Sequence, residues 1–146
     1  MRPCKAAAPS QGKDDAMPPR DHDTGTSTRR KVLGDAHVDR AMRATTAFDA
    51  PFQDLITDAA WARVWSDETL THRDRSLITI ALLAALGHWD EVAMHVRATA
   101  NTGATEAEVQ AALMHVAIYA GVPAGNRAFR VAKDAYAEMA GAEAAE

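Results

Sequence analysis

The sequence predicts an all-α fold of about six helices in one domain. Three observations carry this: apolar residues recur every three or four positions from Arg30 onward, alanine is abundant (33 of 146 residues), and no Asn-Gly or Asp-Gly hairpin turn lies between alternating runs.

The elements follow in chain order. Residues 1–28 hold four of the six prolines and few bulky apolar side chains, so they read as a disordered tail that includes Cys4. The domain spans 29–141, with a C-terminal tail at 142–146. Asp35 is placed to cap a short helix to about Thr45. Asp49 and Pro51 open a second, in which Phe52, Leu55, Ile56, Ala59, Ala60 and Val64 share a face and Trp61 and Trp65 lie one turn apart. Thr71 and Asp74 open a third, reaching Gly87, that is apolar almost all round and therefore expected to be central and buried. A fourth runs from about Trp89 to Asn101. Thr105 and Glu108 form a capping box for a fifth, Glu106 to Ala120. Pro123 starts a sixth, to Ala140, with Gly141 beyond. Connections this short favour antiparallel neighbours.

Composition excludes several functions. A net charge of -4 argues against binding nucleic acid through its phosphates. One cysteine rules out an internal disulfide framework and a thiolate metal cluster. The longest uncharged stretch, Ser76 to Trp89, is too short to span a bilayer, and no apolar signal core follows Met1, so a cytoplasmic chain without membrane contact is expected. There is no phosphate-binding glycine loop and no nucleophile elbow.

The chemistry-bearing pattern is His88, Glu91 and His95, whose offsets of three and four place them on one helical face. A carboxylate beside an imidazole fixes its tautomer and raises its pKa, the minimum equipment for a general acid or base. The same spacing also suits an ordinary solvated pair, and a metal site would want a fourth ligand, so no metal is assigned. Arg75 and Arg97 are candidates to hold an anionic group.

At these residues the sequence resembles the carboxymuconolactone decarboxylase family, with its hydroperoxidase-like all-α fold. The resemblance covers about Arg29 to Met139. It rests on the run from Arg30 to Asp39 (RKVLGDAHVD), Phe52 to Thr57, Ala60-Trp61, Arg75 to Leu82, Glu91 with His95, Asn101 to Thr105, and Tyr119 to Ala124. Peroxide-reducing relatives carry Cys-x-x-Cys where this chain has His88 and Glu91, which removes thiol chemistry. Many relatives have Glu where Ser76 stands, so a relay through that carboxylate does not transfer.

The resemblance implies decarboxylation of a dicarboxylate lactone in protocatechuate breakdown, without a cofactor, because the lactone carbonyl accepts the electrons released with CO2. It gives His95 the proton or the oxyanion hydrogen bond, with Glu91 orienting its ring. Arg75 or Arg97 would hold the retained carboxylate and Trp61 or Trp65 would wall the leaving one; Ser76 and His88 are placed among the substrate-binding residues, although the resemblance gives His88 no fixed role. It also points to a homo-oligomer, a trimer or hexamer. The alternatives are a non-catalytic helical oligomer binding aromatic-derived acids and a peroxide-reducing relative, against which the single cysteine argues.

Overall fold

The computed structural model describes residues 22–144, and every regular element among them is helical. In order these are α1 (His22–Leu33), α2 (Asp35–Ala44), α3 (Ala50–Ile56), a π-helix (Thr57–Trp65), α4 (His72–Leu86), α5 (Trp89–Arg97), α6 (Thr99–Thr102), α7 (Glu106–Tyr119) and α8 (Val122–Glu143). The all-α prediction holds, but the described residues form eight α-helices rather than six.

Three of the additions have physical causes. α1 occupies residues expected in the tail: Gly25, Thr28 and Val32 are buried on one face, so residues 22–28 belong to the folded body. Composition hid this helix because its packing residues are small. A Cβ at position 25 would collide with the Thr57 carbonyl of the π-helix, so only glycine permits that approach. The remainder of the expected tail, with Cys4, lies outside the described residues. The predicted fourth helix divides at Ala98, and α6 is a single turn closed by Gly103. The second predicted helix widens at Thr57, where Oγ1 donates to the Gln53 carbonyl (2.8 Å); the Ser66 amide donates to the Trp61 carbonyl five residues back (3.1 Å).

The ends also shift. Gly34, at φ 85°, is the N-cap of α2, and Asp35 instead pairs with Arg30 at 3.1 Å. α8 passes through Gly141 to Glu143, so Ala142 and Glu143 are helical rather than tail; residues 145 and 146 lie outside the described residues. The Thr105–Glu108 capping box forms as predicted. At Thr71 the side chain accepts from the Asp74 amide, but Asp74 returns to the Thr71 hydroxyl, being too short to reach the backbone N–H as a glutamate would.

The main core joins α4, α5, α7 and α8 through Ile80, Ala84, Val92, Val96, Leu113 and Ala128. A second cluster joins α1 and the π-helix to the end of α5 through Val32, Trp61, Trp65 and Ala98. The expectation that the third helix is buried all round is not met. α4 buries Ser76, Ile80 and Ala84, whereas Ile78, Leu82 and Leu86 form an exposed stripe. Its neighbours in the chain cover a single side.

Candidate active site

His95 stands where the two clusters meet. It projects from α5, is only 6% exposed, and its ring stacks on Trp65 of the π-helix with centroids 5.7 Å apart and planes at 11°. Trp65 in turn meets Trp61 at 5.3 Å and His72 at 6.2 Å. The residues of the π-helix thus bring two indoles together, and one of them meets the histidine. Nδ1 of His95 is buried and has no hydrogen-bond partner among the described residues. Burial, joined by the positive potential of His37 and only partly opposed by Glu91, lowers the imidazole pKa to about 4. At neutral pH the ring is therefore uncharged.

This reverses one expectation. The Glu91–His95 spacing suggested an imidazole with a raised pKa, held by a carboxylate. Glu91 is solvent-exposed and forms no hydrogen bond with His95 among the described residues, so desolvation decides the sign. Spacing identifies a shared face but not how deeply each member is buried.

The other predicted residues fall in different places. Trp61 is buried in the indole cluster. Ser76 is fully buried and shares a 2.9 Å hydrogen bond with the Thr102 hydroxyl, which fastens α4 to α6. His88 is exposed and serves as the N-cap of α5 without a side-chain bond, so it stands outside the helical face on which its spacing had placed it. Arg75 donates to both the carbonyl and the carboxylate of Asp67, at 2.7 and 2.8 Å, and so secures the turn before α4. Arg97 pairs with Glu138 of α8 at 3.0 Å, in a largely exposed contact. Among the described residues, no group of three His, Cys, Asp or Glu side chains is arranged to hold a metal ion.

Sequence reasoning missed His37 as a site residue. It sits half-buried on α2, where burial and the charges of Arg40, Arg29 and Arg97 lower its pKa, and it contributes to the potential at His95. The turn that aims α2 is tied down from α6, since the Asn101 amide donates to the Val32 carbonyl at 3.1 Å. The signal was present in the run Val32-Leu33-Gly34-Asp35-Ala36-His37, but nothing in it shows that residues 37 and 95 interact. Arg29 adds another buried nitrogen, Nε, without a partner among the described residues, while its Nη1 donates to Gln53. It lines a cavity of about 160 Å³ that also borders Val38 and Thr57. The result is a neutral imidazole, stacked on an indole, within a field of cationic side chains.

The family model of the carboxymuconolactone decarboxylase family matches residues 50–134, more than half the chain, including the π-helix, Ser76, Glu91 and His95. The chain belongs to the carboxymuconolactone decarboxylase family. Among curated members, it is 41% identical over 115 residues to the 4-carboxymuconolactone decarboxylase of Acinetobacter baylyi, covering 79% of this chain and 86% of that one. It is 36% identical over 130 residues to the nitrosuccinic acid decarboxylase of Metarhizium robertsii, covering 89% and 91%. A 4-carboxymuconolactone decarboxylase from Pseudomonas putida matches over 36 residues at 50% identity, 25% of this chain and 75% of that sequence.

Proposed function

We propose that this chain is a cofactor-independent decarboxylase that converts 4-carboxymuconolactone to 3-oxoadipate enol-lactone, in the cytoplasmic route that degrades protocatechuate. The observation that carries the reading is the 41% identity to a decarboxylase of that substrate, sustained over most of both chains.

The chemistry suits such a site. The leaving carboxylate is vinylogous to the lactone carbonyl. As the bond to CO2 breaks, its electron pair passes through the ring alkene to the carbonyl oxygen, giving a dienolate, and one proton then returns to ring carbon. The substrate is its own electron sink. The protein has to stabilise the oxyanion and supply the proton.

His95 is assigned that role. In the free protein its ring is uncharged. A dicarboxylate docking beside it brings the negative charge that burial denied it, which favours the imidazolium and takes up a proton with the substrate. Arg40, Arg29 and Arg97, whose charges help to hold the His37 pKa down, supply a potential suited to an anion. Of the two predicted anchors, Arg97 is the better candidate for the retained carboxylate. Its partner Glu138 is exposed and exchangeable, whereas Nη2 of Arg75 bonds both the carbonyl and the carboxylate of Asp67. Trp61 and Trp65 offer an apolar wall for the leaving carboxylate, where tight charge pairing would stabilise the ground state and slow the reaction. Glu91, exposed one turn before His95, retains at most a long-range electrostatic part.

The exposed stripe Ile78, Leu82 and Leu86 on α4, with Met114, Ile118 and Tyr119 on α7, supports the proposal that copies of the chain assemble as a trimer or hexamer. No helix among the described residues is long and apolar enough to cross a membrane.

The nitrosuccinic acid decarboxylase relative sets a second substrate beside the first. A nitro group also accepts the electron pair of a departing carboxylate, as a nitronate, so both reactions need an anchored carboxylate and no added sink. The test is to incubate the purified chain with each acid and measure CO2 and the organic product. Turnover of the lactone with formation of the enol-lactone is expected. Turnover of nitrosuccinate alone would reassign the substrate, and turnover of neither would overturn the reading.

A further inference from the structure

A cavity of about 780 Å³ lies between α7 and α8, and His95 does not border it. Its volume falls within the roughly 300–1,000 Å³ typical of small-molecule sites. Val109, Leu113, Phe129 and Ala132 supply apolar walls. Phe129, Lys133 and Tyr136 recur at offsets of four and three along α8, so one helical stripe presents an aromatic ring, a cation and a phenol.

The polar groups select the kind of ligand. Arg130 and Lys133 are three residues apart on the same helix, both line the cavity, and neither has an ion-pair partner among the described residues. Like charges at that spacing repel weakly, and an anion between them would relieve this. The Tyr136 hydroxyl is buried near Thr99, whose own hydroxyl donates to the Val96 carbonyl, and it closes no hydrogen bond of normal geometry. The Tyr136 hydroxyl therefore faces Thr99 and takes no part in holding a ligand, while its ring helps to line the groove. Glu106 also borders the cavity and contributes a negative charge, leaving a net charge of about +1, which excludes a cationic ligand and suits a monoanion.

We propose that this groove binds a small amphipathic monocarboxylate, an aromatic or arylalkyl acid, at a site distinct from the decarboxylation centre. The ring lies against Phe129, and the carboxylate is held by Arg130 and Lys133. A phosphate or other compact anion would leave the apolar walls unfilled.

The test is calorimetric titration of the full chain with phenylacetate, with benzyl alcohol as its neutral counterpart. Phenylacetate should bind at least about ten-fold more tightly than benzyl alcohol, a ratio set by charge-assisted hydrogen bonding. The double variant Arg130→Gln/Lys133→Gln should weaken phenylacetate binding by about ten-fold or more. His95→Ala should leave that binding unchanged, and the double variant should turn over the lactone with unaltered kcat/KM. Three results would each overturn the proposal. Phenylacetate affinity could be lost in His95→Ala and kept in the double variant, which assigns the acid to the decarboxylation centre. Benzyl alcohol could bind equally well, which reduces the groove to an apolar cleft. Phenylacetate could fail to bind at millimolar concentration while the double variant changes the mass of the assembly, which assigns the groove to a contact between copies.

Discussion

The imidazole of His95 lies nearly parallel to the indole of Trp65, with ring centroids 5.7 Å apart and planes at 11°. This stacking fixes the ring plane of the histidine without using either nitrogen. It also removes water from one face, which is part of why the imidazole pKa falls to about 4. A helix that carries Trp65 and a second helix that carries His95 therefore set together what one hydrogen-bonded carboxylate was expected to set alone.

His95→Ala should lower kcat by about 10²-fold or more, the usual contribution of a positioned acid or hydrogen-bond donor. Glu91→Gln should change kcat by only a small factor, because Glu91 is exposed and unbonded to the ring. Steady-state kinetics on folded variants checks both. Equal losses in the two variants would restore a working Glu–His pair.

Acid should destabilise the protein through the same ring. An unfolded chain binds a proton at His95 near pH 6.5, whereas the folded one does so only near 4. Between these values the unfolded state holds more protons, so stability is full above the upper value and declines as pH falls through the window. The loss is at most about 3 to 4 kcal/mol, from about 1.4 kcal/mol per pH unit. Chemical denaturation at pH 7 and pH 4.5 should show it, and His95→Asn should reduce the difference. An NMR titration in which His95 gains its proton above pH 6 would contradict the premise.

Trp65→Leu should preserve the helices but free the ring of His95. Decarboxylation is expected to fall by about ten-fold or more, in line with the sensitivity of catalysis to small misplacements, and the NMR titration midpoint of His95 should move upward as water gains access. A normal midpoint with normal activity would show that the stack has no part in positioning.

Gly25→Ala should lower Tm, because the added methyl meets the Thr57 carbonyl rather than a flexible side chain. Overpacking of this kind costs about 1–3 kcal/mol. Truncation before His22 should leave Tm within a few degrees of the full chain, whereas truncation through residue 28 removes buried Gly25 and Thr28 and should lower it sharply. Melting curves of the three proteins test this boundary.

Arg97→Gln should raise KM for the lactone more than it changes kcat, and Arg75→Gln should instead lower Tm, since it frees Asp67 from the turn before α4. The opposite pattern would return Arg75 to the substrate. Activity should also survive dialysis against a strong chelator, as expected of a substrate that holds its own electron sink; loss on chelation with rescue by zinc would oppose this.

Periodicity, caps and glycine stops determined much about this protein on their own. The all-α class, the starts of α4, α7 and α8, the Gly87 and Gly103 ends and the Thr105–Glu108 box are local patterns, decided within one or two turns of chain. Local rules also found the shared face of Glu91 and His95. They could not assign α1, whose contacts run through Gly25 and Thr28 rather than large apolar residues, nor the widening that makes Thr57–Trp65 a π-helix. Only tertiary structure brought Trp65 against His95, placed His37 in the electrostatic field of the site, tied Ser76 to Thr102 and bound Arg75 to Asp67. The sign of the His95 shift belongs to the same level. Spacing along a helix fixes direction, but a pKa depends on how much water and which charges surround the group, and those come from segments distant in sequence.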